Sequence, residues 1–229
     1  MRIQVHFSIV SFILYFITLV GYGQSAQLPL DFESLSETHP SVLLEVRYAT
    51  SDNFIGSPVN GYLQPKIYLS KAALKALGNV QDDLGKKGLG LKVFDGYRPQ
   101  RAVNHFLKWS QSLADTLMKA TYYPTISKNK LFALGYIAAR SGHSRGSTVD
   151  VTIVTLATGK ELDMGSPYDF FGPISGVYSN EITSKQQQHR LLLRKAMLRH
   201  GFKPLKEEWW HFTLTKEPYP TTYFDVVIE

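Results

Sequence analysis

The sequence predicts an α+β fold, a single domain whose mainly antiparallel sheet is flanked by helices. Three observations lead there. Helix-period and strand-period segments follow one another without a regular strand-helix-strand rhythm, which argues against a doubly wound parallel sheet. No internal repeat or low-complexity linker interrupts the chain from Gln24 to Glu229, so one core is expected. A length of 229 residues is enough to bury that core at roughly 100–200 residues per domain.

Residues 1–23 stand outside this domain. Arg2 precedes an apolar run of 14 residues from Phe7 to Val20, and Gly21-Tyr22-Gly23 then sets small residues three and one before Gln24. This is the pattern of a secretory signal peptide cut after Gly23, since a spanning helix wants about 20 apolar residues. Cleavage would leave residues 24–229 as the working domain, periplasmic or secreted, with no stable membrane insertion.

Within the domain, 41–49 (SVLLEVRYA) is β-rich and reads as a first strand, followed by a turn-rich stretch over 50–61. Ser70 is a good N-cap for a helix through Ala72, Leu74, Leu77, Val80 and Leu84, which the glycines of 85–90 end. A short buried strand over 91–94 delivers Asp95-Gly96-Tyr97-Arg98-Pro99, and Pro99 suits the start of a helix over 100–120 with Val103, Phe106, Leu107, Leu113 and Leu117 on its apolar side. A helical turn is expected over 130–139. Residues 148–156 (TVDVTIVTL) form the clearest strand, in which Asp150 points away from the face of Val149 and Val151 and needs a partner. A helix over 183–200 closes at Gly201, and 209–214 and 224–228 read as closing strands.

Composition narrows the chemistry. The chain has no cysteine, which excludes a disulfide scaffold, a thiolate metal site and a thiol nucleophile. A net charge of +6 raises the question of a nucleic-acid partner, but the basic residues are scattered. The densest groups, Lys86-Lys87 and the run from Arg190 to Arg199, read as solvated charge on helices, so no nucleic-acid partner is expected. His200 suits a helix C-terminus, His105 and His189 read as exposed helix residues, and His39 lies in a loop.

Three segments carry the chemistry: SGHSRGSTVD (141–150), EWWHF (208–212) and DGYRP (95–99). A catalytic zinc takes three nitrogen or oxygen ligands and keeps a position for water, and His143, Asp150 and His211 would supply that set. Glu208 is the candidate general base and Arg98 the candidate stabiliser of negative charge on the scissile carbonyl. On a regular strand Glu208 and His211 would face opposite sides, so Glu208 must precede the strand or sit at a bulge. Of Trp209 and Trp210, alternation predicts one in the core and one shielding the site.

These motifs, in this order, resemble the zinc D-Ala-D-Ala dipeptidases of the VanX type, within the peptidoglycan D,D-peptidases. The likeness runs from about Val46 to about Thr213. It implies one zinc ion per chain on the sheet, held by His143, Asp150 and His211, with Glu208 as base and Arg98 as transition-state stabiliser. It further implies that Asp169 and Ser141 hold the ammonium group of a small D,D-dipeptide, and that Tyr48 borders the pocket. The alternatives are a D,D-carboxypeptidase or endopeptidase acting on longer stem peptides, and a non-catalytic wall-binding relative. Thr148 departs from the family, which usually has Ala there, and crowding is expected at that position. The signal peptide also departs from the resistance-associated members, which act in the cytoplasm.

Overall fold

The computed structural model describes residues 27–229, and the signal-peptide reading of 1–23 lies outside them. Five strands form the main sheet in the order β2-β4-β5-β7-β6: β2 (Leu43–Leu44), β4 (Leu89–Asp95), β5 (Thr148–Thr155), β7 (His211–Leu214) and β6 (Phe202–Pro204). Only β2 and β4 run parallel, so the sheet is mixed and mostly antiparallel as expected. A second sheet pairs β1 (Phe32–Ser34) with β3 (Tyr68–Ser70). The helices are α1 (Leu35–Thr38), α2 (Lys71–Gly85), α3 (Gln100–Gln111), α4 (Lys119–Tyr122) and α5 (Ser184–Arg199). None of the described helices is long and apolar enough to cross a membrane.

Local chemistry explains the elements that match. Ser70 caps α2 by accepting the Ala73 N–H, and Leu74, Leu77, Val80 and Leu84 are buried along one stripe. Thr183 and Gln186 close a reciprocal capping box on α5, and Gly201 follows its end at φ +87°. β5 is central and buried along nearly its whole length, which explains why it reads so clearly.

Four expectations need correction. The strand over 41–49 is only Leu43–Leu44, because the chain then tightens into a 3₁₀ turn, Arg47–Ala49, in which Arg47 pairs with Glu45 and Tyr48 turns inward. The helix over 100–120 stops at Gln111; the buried ammonium of Lys128 takes the carbonyls of Ser112 and Asp115, and Leu113 and Leu117 are exposed. The turn over 130–139 reduces to a 3₁₀ turn at Lys128–Lys130 and a reversal at Gly135. Residues 224–228 make only the bridge Tyr62–Ile228, since loops take their backbone groups: Phe224 N–H goes to Ser144 O, and Val226 N–H to the Tyr97 hydroxyl.

The run from Arg190 to Arg199 also differs from a solvated face. Arg190 is buried, while Arg199 reaches outward to Asp83. His200 meets the same Asp83 at 2.8 Å, His189 bonds Asp163 O through Nδ1, and His105 Nδ1 accepts the Asn60 N–H.

Candidate active site

Strand register builds the site. Asp95 on β4, Asp150 on β5 and His211 on β7 occupy one row across three neighbouring strands, Asp95 opposite Asp150 and Asp150 opposite His211. Side chains in such a row share a face. Two carboxylates side by side repel, and Arg98 answers this directly. Its Nε and Nη2 donate to Asp95 Oδ2 at 2.8 and 2.7 Å, and Nη2 lies 3.4 Å from Asp150 Oδ2. The guanidinium also covers the rings of Tyr48 and Phe106.

His143 reaches the row from a 3₁₀ turn, Gly142–Arg145, capped at its start by Ser141, whose Oγ accepts the His143 N–H. The turn ends at Gly146 in the left-handed region at φ +79°, where a Cβ would collide with the Phe32 ring. His143 Nδ1 donates to Gly96 O at 2.8 Å, which leaves Nε2 as a bare lone pair. That atom lies 3.2 Å from Asp150 Oδ1 and 3.3 Å from His211 Nδ1, with His211 Nδ1 3.1 Å from Asp150 Oδ1.

This triangle fits a metal ion. Asp150 Oδ1 is buried and has no hydrogen-bond partner. Ligand atoms at about 2.0–2.1 Å from a tetrahedral ion stand about 3.3 Å apart, close to the observed edges. Burial opposes ionisation of Asp150, yet His143 and His211 outweigh it and hold the carboxyl well below its usual range. Burial lowers the pKa of the His143 imidazole against the pull of Asp150, toward the neutral ring a metal needs, whereas at His211 Asp150 outweighs burial and raises it.

Glu208 lies in the turn before β7, as the argument from strand alternation requires, with Oε2 3.6 Å from His211 Nδ1. Burial raises its carboxyl above the ordinary range, with Asp150 adding to the shift and His211 opposing it. Asp169 is buried in the loop after β5 at φ +62°, the one non-glycine residue in the left-handed region among those described. Burial raises its carboxyl too, and the Tyr48 hydroxyl donates to its Oδ2 at 2.8 Å. Tyr48, Arg98, Ser141, His143, Asp150, Asp169, Glu208 and His211 all line one cavity of about 200 Å³, walled by Phe54, Phe106, Ile137 and Phe171. All eight candidate residues therefore meet at one place.

A family described as D-Ala-D-Ala dipeptidase matches residues 29–229. The chain belongs to that family. It is 46% identical over 198 residues to the D-alanyl-D-alanine dipeptidase of Streptomyces coelicolor, covering 86% of this chain and 98% of that one. The dipeptidase of the same name from Enterococcus faecalis is 43% identical over 197 residues, with 86% and 98% covered. That from Enterococcus faecium is 39% identical over 202 residues, with 88% and 100% covered. These peptidases are metal-dependent, in keeping with the His-Asp-His triangle.

Around the dipeptidase motifs lies a supporting shell that pattern reading did not name. Tyr62 donates to Asp95 Oδ1 at 2.7 Å, and the single proton of the Tyr168 hydroxyl lies between Asp150 Oδ2 at 3.1 Å and the Tyr48 oxygen at 3.2 Å. Tyr168 adjoins Asp169 in sequence, and that adjacency was the available signal. Arg145, in the same motif as Asp150, points away from it and makes a two-pronged pair with Glu217. Trp209 and Trp210 are both buried and neither lines the cavity, which corrects the expectation that one shields it. Thr148 is not crowded: its hydroxyl bonds that of Thr213, its cross-strand partner, at 2.9 Å.

Proposed function

We propose that this chain hydrolyses D-Ala-D-Ala to two D-alanines as an exported zinc dipeptidase of peptidoglycan metabolism. The observation that carries the reading is the convergence of two imidazole nitrogens and an unsatisfied carboxylate oxygen beside Glu208, in a cavity that also presents Asp169. His143, Asp150 and His211 would hold the ion. When bound, zinc would supply Lewis-acid polarisation of the scissile carbonyl and acidify a water molecule.

The chain's own groups do the rest. Glu208 Oε2 takes the proton of the attacking water and returns it to the leaving amine nitrogen, a task suited to a carboxyl whose pKa burial has raised. Arg98, fixed by Asp95, presents its positive charge to the carbonyl oxygen as negative charge develops there. Asp169, held by Tyr48, receives the substrate's ammonium group, with Ser141 on the same cavity wall. A cavity of about 200 Å³ is small beside pockets of about 300–1,000 Å³ for drug-sized ligands, which favours a dipeptide over a longer stem. The leader-like pattern of residues 1–23 supports action in the periplasm or outside the cell.

The test is D-alanine release by the chain from Gln24 onward, with zinc content measured, from D-Ala-D-Ala, N-acetyl-D-Ala-D-Ala and a pentapeptide stem. Release from the free dipeptide alone is expected. Release mainly from the blocked or longer substrates would move the enzyme to wall trimming, and silence on all three with zinc bound would make it a binding protein.

A further inference from the structure

We propose that Arg190 is a positioning residue whose guanidinium clamps the two legs of the loop carrying Asp169 and so sets the binding of the substrate's ammonium group. The inference rests on the dipeptidase reading and deepens it. Arg190 projects from α5 and is 1% exposed, yet no carboxylate pairs with it among the described residues. Its donors go to one loop. Nε donates to Met164 O at 2.6 Å, Nη1 to Ile174 O at 2.8 Å and Gly176 O at 2.6 Å, and Nη2 to Ser166 Oγ at 3.3 Å.

Burying a cation without an anion is costly unless dipoles replace water on every side. Here three carbonyls and a hydroxyl take four of the five N–H donors, and burial lowers the guanidinium pKa only to about 10, so it stays charged at neutral pH. The carbonyls lie at opposite ends of the loop. Met164 is on its outgoing leg, Ile174 and Gly176 on its returning leg, and Tyr168 and Asp169 at the turn between them. A rigid fork with donors in fixed directions can hold two legs at one spacing; a flexible ammonium cannot.

Neighbouring contacts serve the same loop. Gln186 and His189, one turn and one residue before Arg190 on α5, bond Asp163, and Trp209 Nε1 and Ser175 Oγ both meet Ser166 Oγ. The anchorage bears on Asp169, whose φ of +62° lies in the left-handed region, uncommon for residues with a side chain though Asp adopts it more readily than most. Released from the clamp, the turn would relax and the carboxylate would leave the position that Tyr48 marks.

The test uses the zinc-loaded enzyme and Arg190→Lys, with Arg190→Ala beside it. If Arg190 positions Asp169, Arg190→Lys raises KM for D-Ala-D-Ala about ten- to a hundredfold while kcat changes far less. In an Asp169→Asn background the same substitution adds little, and hydrogen exchange quickens chiefly within residues 163–176. A structural role alone would lower kcat in proportion to the folded fraction and leave KM unchanged. That result, or additive effects with Asp169→Asn, overturns the inference. Should Arg190→Ala fail to fold, the lysine variant carries the measurement. Wild-type enzyme that does not cleave D-Ala-D-Ala would instead overturn the dipeptidase reading, and the ammonium role with it, before any variant is compared.

Discussion

Two aspartates in this protein each collect several cationic or donor groups, and they live in opposite surroundings. Asp83, at the surface end of α2, meets His200 at 2.8 Å, Lys86 at 3.0 Å and Arg199 at 3.2 Å. Asp150, central in the sheet, meets His211, His143, Arg98 and the Tyr168 hydroxyl at 3.1 to 3.4 Å. Both carboxyls are held well below the usual range, Asp83 chiefly by His200 and Asp150 by its two histidines against the opposition of burial. Partner number is thus a poor guide to importance. Water substitutes for any lost partner of Asp83, whereas each partner of Asp150 replaces water that burial has removed.

The comparison predicts its own largest effect. Asp150→Asn is expected to abolish metal retention and activity, because it removes the anionic oxygen that stands between the two imidazoles, while Arg98 keeps its pair with Asp95. Metal content and turnover read both losses; a metal-loaded, active Asn variant would refute the account of the row. Next comes Glu208→Ala. Turnover should fall about 10²- to 10⁴-fold with the metal retained, because Glu208 is outside the His143-Asp150-His211 triangle. Loss of metal in that variant would make Glu208 a ligand instead.

A smaller effect separates the ligands from their support. Tyr168→Phe keeps a ring stacked on Phe94 at 4.4 Å and removes only the hydroxyl beside Asp150 Oδ2. Metal affinity should weaken about 10- to 100-fold, as for other outer partners of metal ligands. An unchanged affinity in competition with a chelator would show that Tyr168 gives its proton to Tyr48 instead.

What the sequence revealed divides along the same line. His143, Asp150, Glu208 and His211 were legible because their chemistry demands particular residue types inside short motifs, and β5 because a buried strand carrying one aspartate is an anomaly to be explained. The supporting shell was not legible. Tyr62, Tyr168 and the Gly96 carbonyl act through strand register and loop closure, which join residues 18 to 47 positions apart. Arg190 looked like one charge in a solvated run because helix periodicity cannot show that a loop folds over that face. The end of α3 was missed for the same reason: the group that captures the carbonyls just past it, Lys128, lies 13 to 16 residues further on.

Thr148 sharpens the comparison on the sheet itself, two residues from Asp150. Its hydroxyl and that of Thr213 satisfy each other in a buried pair. Thr148→Val keeps the shape but strands the Thr213 hydroxyl, at a cost of about 1–3 kcal/mol in unfolding free energy, while KM and kcat stay near wild type. If the pair were instead crowded, the Thr148→Ala variant would be more stable than wild type.

The smallest effect belongs to Asp83, and pH gives its sign. A carboxyl whose folded pKa is depressed adds stability above its unfolded value of about 3.9, and that contribution drains away as pH falls toward the lower folded value. Asp83→Asn should therefore lower the Tm slightly at pH 7, less so in high salt, and the gap from wild type should narrow as the pH drops below about 4. Activity should not change, since neither Asp83 nor its partners line the cavity. A gap that persisted undiminished at low pH and high salt would mean that Asp83 acts through packing or helix geometry, and the contrast between a solvated and a buried carboxylate would lose one of its two halves.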